Sequence, residues 1–133
     1  MSWVIDTSAL VRLFIPDGPI SKEAEAAFNQ AGAGGEPVLA PQLILVEVAN
    51  VLLRKLRRDE LSSAEHDELL NTILALPIRL IEHPPLIFAA SRLAREFKLS
   101  AYDAIYLALA EEHGATLLTC DEYLATAARS LGL

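Results

Sequence analysis

Apolar and polar positions along this chain fall into blocks of two kinds. Four short apolar runs, at 3–5, 38–40, 78–81 and 115–119, are each followed by longer stretches with the three-to-four-residue spacing of helices. The first run leads into a helix expected over 8–14, stopped by Ile15-Pro16-Asp17-Gly18-Pro19. Ser21 caps a second helix to about Ala31, with Glu23 and Glu25 where the helix dipole favours acids. After the loop AGAGGEP (31–37) and the second strand comes a long helix over 42–58. Ser62 and Glu65 form a capping box for a helix ending near Leu76. Further helices are expected over 83–97, 100–113 (ended by Gly114) and 121–130. Short apolar strands alternating with helices predict an α/β fold. The arrangement is a three-layer α/β/α sandwich whose central parallel sheet has about four to five short strands.

Four acids interrupt the pattern where it is most apolar. Asp6 follows the first strand directly and forms a polar knot with Thr7 and Ser8; any of the three can serve as a helix cap. Glu47 lies in LILVEVANVLL, where Glu47, Asn50 and Arg54 make one narrow polar stripe on an otherwise apolar helix. A surface helix shows a broader polar face, so this helix is expected to be mostly buried, with Glu47 facing a cleft. Asp103 is the only charged residue in SAYDAIYLALA, and Ser100-x-x-Asp103 reads as a variant capping box. Asp121 follows ATLLTC, where Thr119-x-x-Glu122 reads as another. Asp17 and Glu122 read as surface acids.

Each acid has a local explanation, but the four share a topology. Asp6 and Asp121 follow strands, while Glu47 and Asp103 sit in the N-terminal halves of apolar helices. In a parallel sheet all four can converge at the carboxyl edge, where α/β folds bind ligands. Four adjacent carboxylates repel, and some take up protons unless a cation joins them. An all-oxygen donor set selects Mg²⁺ or Mn²⁺ over zinc.

Charge complicates a nucleic-acid role. The net charge is −7, from 18 acids against 11 bases, which opposes a broad nucleic-acid surface and leaves room only for a local one. Arg54, Lys55, Arg57 and Arg58 cluster at the end of the Glu47 helix, where helix-dipole complementation accounts for them equally well. A hydrophobic content of 53% argues against disorder over the 133 residues, read as one domain, 1–133. The lone Cys120 allows no internal disulfide and no zinc cluster, and suits a reducing compartment. Neither a signal peptide nor a membrane span is expected.

The segments VIDTSALV (4–11), VEVANVL (46–52), SAYDAIYLALA (100–110) and LLTCDEYL (117–124), in that order and spacing, resemble the PIN-domain family, and within it the VapC-type ribonuclease toxins of toxin–antitoxin pairs. The resemblance spans essentially the whole chain. It implies a cytoplasmic, Mg²⁺- or Mn²⁺-dependent endoribonuclease acting on RNA. It also implies a homodimer and a small antitoxin whose C-terminal segment occupies the cleft. By position, Asp6, Glu47, Asp103 and Asp121 match the family's acidic quartet, Ser8 (with Thr7 beside it) its hydroxyl site, and Asn50 its amide. Asp6 and Asp103 are then expected as the main metal ligands, Glu47 as the residue that binds or orients water, and Asp121 as support for a second cation or a water-mediated contact. Ser8 is expected to position water or a phosphate oxygen. Arg12 and Arg54 are expected on the RNA or antitoxin side. The chain ends SLGL, so the short final strand of many members is expected to be truncated or absent. Three alternatives stand beside this one. One is a non-catalytic PIN-like module that binds RNA or a partner, and another a housekeeping nuclease. The third, an aspartyl-phosphate phosphatase, wants a second acid two residues after the first, where this chain has Ser8.

Overall fold

The computed structural model describes residues 2–133. Four strands form, each only three or four residues long: β1 (Trp3–Ile5), β2 (Val38–Pro41), β3 (Ile78–Ile81) and β4 (Thr116–Leu118). They pair in the order β3-β2-β1-β4, all parallel, with Val4 of β1 opposite both Leu39 and Leu117. The chain therefore builds outward from β1 to β2 and β3, then returns to lay β4 on the other side. That reversal opens a crevice at the carboxyl ends of β1 and β4, the switch point at which such sheets bind ligands.

Among the described residues seven helices flank the sheet and complete the α/β/α sandwich: α1 (Thr7–Arg12), α2 (Lys22–Gly32), α3 (Leu43–Arg57), α4 (Ser63–Leu74), α5 (Ile87–Phe97), α6 (Ala101–His113) and α7 (Glu122–Ser130). The central helix is α6. Residues 104–110 are buried without a break, as a helix apolar on every side requires. It touches β1, β2 and β4 on one side and α5 and α7 on others. Truncating a buried leucine here, such as Leu107→Ala, carries the usual core cost of about 2–5 kcal/mol. Asp103 enters the sheet's carboxyl edge from the first turn of this fixed rod.

Local chemistry explains where the elements start and stop. Ser62 and Glu65 make the full reciprocal capping box at α4. Gly114 ends α6 in the left-handed conformation (φ 58°), which a glycine adopts without strain. The helix expected over 83–97 divides into a single 3₁₀ turn at Pro84–Leu86, whose opening positions suit the fixed φ of the two prolines, and then α5. No strand follows α7 among the described residues. Residues 131–133 instead fold back in a turn, with the Leu133 amide donating to the Ala128 carbonyl and Leu131 and Leu133 packed on the core.

The expectation that α3 is mostly buried needs correction. Only Ile44, Val48 and Leu52 are buried, one ridge at four-residue spacing, while Leu45 is exposed and Val46 is 61% exposed. A helix packing one ridge against its neighbours leaves its other apolar positions open. The polar stripe of α3 lies elsewhere on the helix, and it does face a cleft.

Candidate active site

A cleft of about 380 Å³ lies at the carboxyl ends of the strands. All nine residues singled out from the sequence line it: Asp6, Glu47, Asp103 and Asp121, with Thr7, Ser8, Asn50, Arg12 and Arg54.

Asp6 is 5% exposed and the only charged side chain buried among the described residues. It caps α1, accepting the Ala9 amide on Oδ1 at 2.9 Å. The cap is only part of its environment. Ser8 donates to the same oxygen at 2.7 Å, and Thr119 donates to Oδ2 at 2.5 Å. Burial above all pushes the Asp6 carboxyl up from its ordinary value. The Thr119, Ala9 and Ser8 donors oppose that rise, and the Asp103 charge adds to it. The Ser8 hydroxyl also accepts the Cys120 amide at 3.0 Å, so it braces Asp6 against the strand end that carries Asp121.

Glu47 is held by hydroxyls. Thr7 donates to its Oε1 at 3.1 Å and Tyr106 to the same atom at 2.5 Å, while the two hydroxyls lie 3.0 Å apart. The Tyr106 phenol is pushed far above its ordinary value, by burial first and then by accepting company from Glu47, so it remains a donor.

Asp103 and Asp121 complete the acidic wall. At α6 the capping box is half made: Ser100 Oγ accepts the Asp103 amide at 3.1 Å, and no return bond from the Asp103 carboxylate is formed. That carboxylate stays half-buried in the cleft. It is pushed up by burial, then by the charges of Asp121 and Glu47, with Ser100 opposing. The expected Thr119–Glu122 box at α7 is not what forms. Asp121 is the N-cap, accepting the Tyr123 and Leu124 amides at 2.9 and 3.1 Å, because the Thr119 hydroxyl is committed to Asp6.

The basic cluster at the end of α3 divides by direction. Arg54 turns to the cleft with Arg12. Lys55 pairs with Asp17 at 2.8 Å and approaches Glu60 at 3.9 Å, while Arg57 and Arg58 are exposed. Asp17, read from sequence as a plain surface acid, thus pins the loop that forms the cleft's rim.

Two further residues touch the acids directly, and the apolar–polar pattern distinguishes neither. Thr119 reads from the sequence as part of a capping motif, and it is the last residue before the Cys120-Asp121 turn. Tyr106 lies three residues after Asp103, on the same helix face, and bears the only polar side-chain atom in the buried run 104–110.

The donor set suits a hard divalent cation. Its atoms are carboxylate and hydroxyl oxygens with one amide, and the acids raise one another's proton affinity, the repulsion a cation relieves. Among the described residues no three acidic, histidine or cysteine side chains close around a common point. Asp6, Glu47 and Asp121 are each tied instead to protein donors.

A family model of the PIN domain matches residues 3–130, and the chain belongs to the PIN domain family. It is 33% identical over 127 residues to Ribonuclease VapC3 of Pyrobaculum aerophilum, an alignment covering 94% of this chain and 93% of that protein. A crystal structure of a protein from the same archaeon superposes with a TM-score of 0.73 at 25% identity, covering 98% of this chain and 92% of the other. A toxin–antitoxin complex from Klebsiella pneumoniae shares the fold with a TM-score of 0.59 at 23% identity, over 90% of this chain and 87% of that one. The VapC-type resemblance read from the four motifs is therefore shown by the comparisons, and the α/β/α fold it implied is the fold observed.

Proposed function

We propose that this chain is a divalent-cation-dependent endoribonuclease of the VapC type, acting as the toxin of a toxin–antitoxin pair. The observation that carries the reading is the convergence of Asp6, Glu47, Asp103 and Asp121 on one cleft at the switch point of the sheet. Kinship with a ribonuclease along nearly the whole chain supports it.

Asp6 and Asp103 are the residues that would hold Mg²⁺ or Mn²⁺, with Glu47 and Asp121 on the flanks. The cation supplies the chemistry that carboxylates lack, making water acidic enough to attack at neutral pH and offsetting charge on the phosphodiester. The protein's part is positional. Ser8, Thr119 and the Ala9 amide lock Asp6 in one rotamer, and the rigid α6 fixes Asp103. Glu47 orients water toward phosphorus, and Asn50 beside it lines the path. Arg12 and Arg54 meet the phosphates of a single RNA strand entering a protein that is acidic elsewhere. The same two cations suit an acidic segment of an antitoxin lying in the cleft. A cytoplasmic homodimer accompanies this reading. Among the described residues no helix is long and apolar enough to cross a membrane.

Purified protein is expected to cleave RNA only when Mg²⁺ or Mn²⁺ is supplied. Asp6→Asn and Asp103→Asn should each slow cleavage by at least about a hundredfold, the upper range for residues that merely support metal ligands. Equal cleavage by wild type and both variants would overturn the assignment.

A further inference from the structure

Glu47 differs from the other acids in how its two oxygens are used. Oε1 receives both hydroxyls, from Thr7 at 3.1 Å and from Tyr106 at 2.5 Å. Among the described residues no hydrogen bond is recorded at Oε2. The ring of Tyr106 is 1% exposed and packed in the core cluster, so its hydroxyl is delivered from a fixed frame on α6, the helix that also carries Asp103. A glutamate side chain in a cleft wall, with its three rotatable bonds, is otherwise free to swing among rotamers.

We propose that Tyr106 is a positioning residue for the cleft. By engaging Glu47 Oε1, with Thr7 as the second donor, it commits Oε2 to whatever the acidic cleft binds, and couples the placement of Glu47 on α3 to that of Asp103 on α6. The inference rests on the cation-dependent nuclease reading and adds a specific contact to it. The phenol carries its hydroxyl from the buried face of α6 to Glu47 on α3.

The test is Tyr106→Phe in the full chain, which keeps the ring and removes one oxygen. Circular dichroism and Tm without metal check the fold. Mn²⁺ titration calorimetry then reads affinity, and RNA cleavage reads kcat and KM separately. The expected result is an intact fold, Mn²⁺ affinity and kcat each lower by about tenfold, the lower range for partners behind a ligand, and KM unchanged. Thr7→Val should give a smaller loss of the same kind, and Thr7→Ser should restore it. In a Glu47→Gln background, Tyr106→Phe should add nothing to the loss of Mn²⁺ affinity. An additive loss in that background, or wild-type Mn²⁺ affinity and kcat in Tyr106→Phe, would overturn the positioning role and leave the nuclease reading standing. A wild-type protein that binds no Mn²⁺ and cleaves no RNA would instead overturn the nuclease reading, and the positioning role with it.

Discussion

Thr119 donates its hydroxyl hydrogen to Oδ2 of Asp6 at 2.5 Å, and so joins the end of β4 to the end of β1 across 113 residues of sequence. The Thr119 hydroxyl oxygen itself accepts the Asp121 amide at 3.0 Å, so one hydroxyl sets the position of two cleft acids. Removing it leaves a buried carboxylate with one oxygen unpartnered, the costly way to lose a hydrogen bond. Thr119→Val should therefore lower kcat by about tenfold to a hundredfold, with Mn²⁺ affinity falling alongside, and Thr119→Ser should recover most of both. A valine variant with unaltered metal affinity would show that Asp6 is held well enough by Ser8 and Ala9 alone.

The acids also leave a signature in stability. Asp103 and Asp6 both have folded-state proton affinities raised above those of the open chain. Such a group takes up a proton on folding, so its favourable contribution is complete below the unfolded value, about pH 4, and is lost as pH rises through the raised value. Above that raised value the metal-free protein carries ionised acids that oppose the fold. Asp103→Asn, which should abolish cleavage, should at the same time raise the metal-free Tm at about pH 7–8. The gain should vanish below about pH 4, and saturating Mg²⁺ should reverse it by stabilising wild type alone. Thermal melts of the two proteins across that range, with and without cation, test all three points. A destabilised Asp103→Asn at pH 8 would mean that its carboxylate makes a favourable contact when ionised.

How much of this was legible beforehand depends on what each residue has to contrast with. Asp6, Glu47, Asp103 and Asp121 stood out because a charge inside an apolar run is costly wherever that run is buried. The order of strands and helices, read from apolar blocks, gave the sheet edge on which they meet. Thr119 and Tyr106 did not stand out, since a hydroxyl is cheap in many settings and their partners lie 113 and 59 residues away. The exposure of Val46 was hidden for the opposite reason: an apolar residue on an apolar helix carries no mark of which side faces water. Directions within the basic cluster were equally silent, because only packing decides that Arg54 lines the cleft while Lys55 bridges Asp17 and Glu60.

Expression without an antitoxin should arrest the growth of a bacterial host if RNA is cut in the cell. The Asp6→Asn protein, made at the same level, should be tolerated, since the change keeps the N-cap on α1 while removing the charge. Colony counts after induction of each form decide the point. Harmless wild-type protein of proven in vitro activity would exclude the toxin role and retain the nuclease.

Arg12 and Arg54 carry the remaining prediction, because they are the cationic side chains on an otherwise acidic cleft. Neither is needed to hold the acids in place, since the hydrogen bonds that fix Asp6 and Glu47 come from Ala9, Ser8, Thr7, Tyr106 and Thr119. Their loss should therefore appear in binding and leave kcat nearly unchanged. Binding of a single strand depends on salt through the counterions each phosphate contact releases, with a logarithmic slope of about −0.7 per contact. Arg12→Ala and Arg54→Ala should each raise KM at low salt and flatten its salt dependence by about that amount, and the double variant by about twice as much. Arg57→Ala, exposed at the end of the same helix, should leave both quantities at wild-type values. If instead Arg57 and Arg58 control the slope while Arg12 and Arg54 do not, the RNA runs along the outer end of α3 and enters the acidic cleft from the other side.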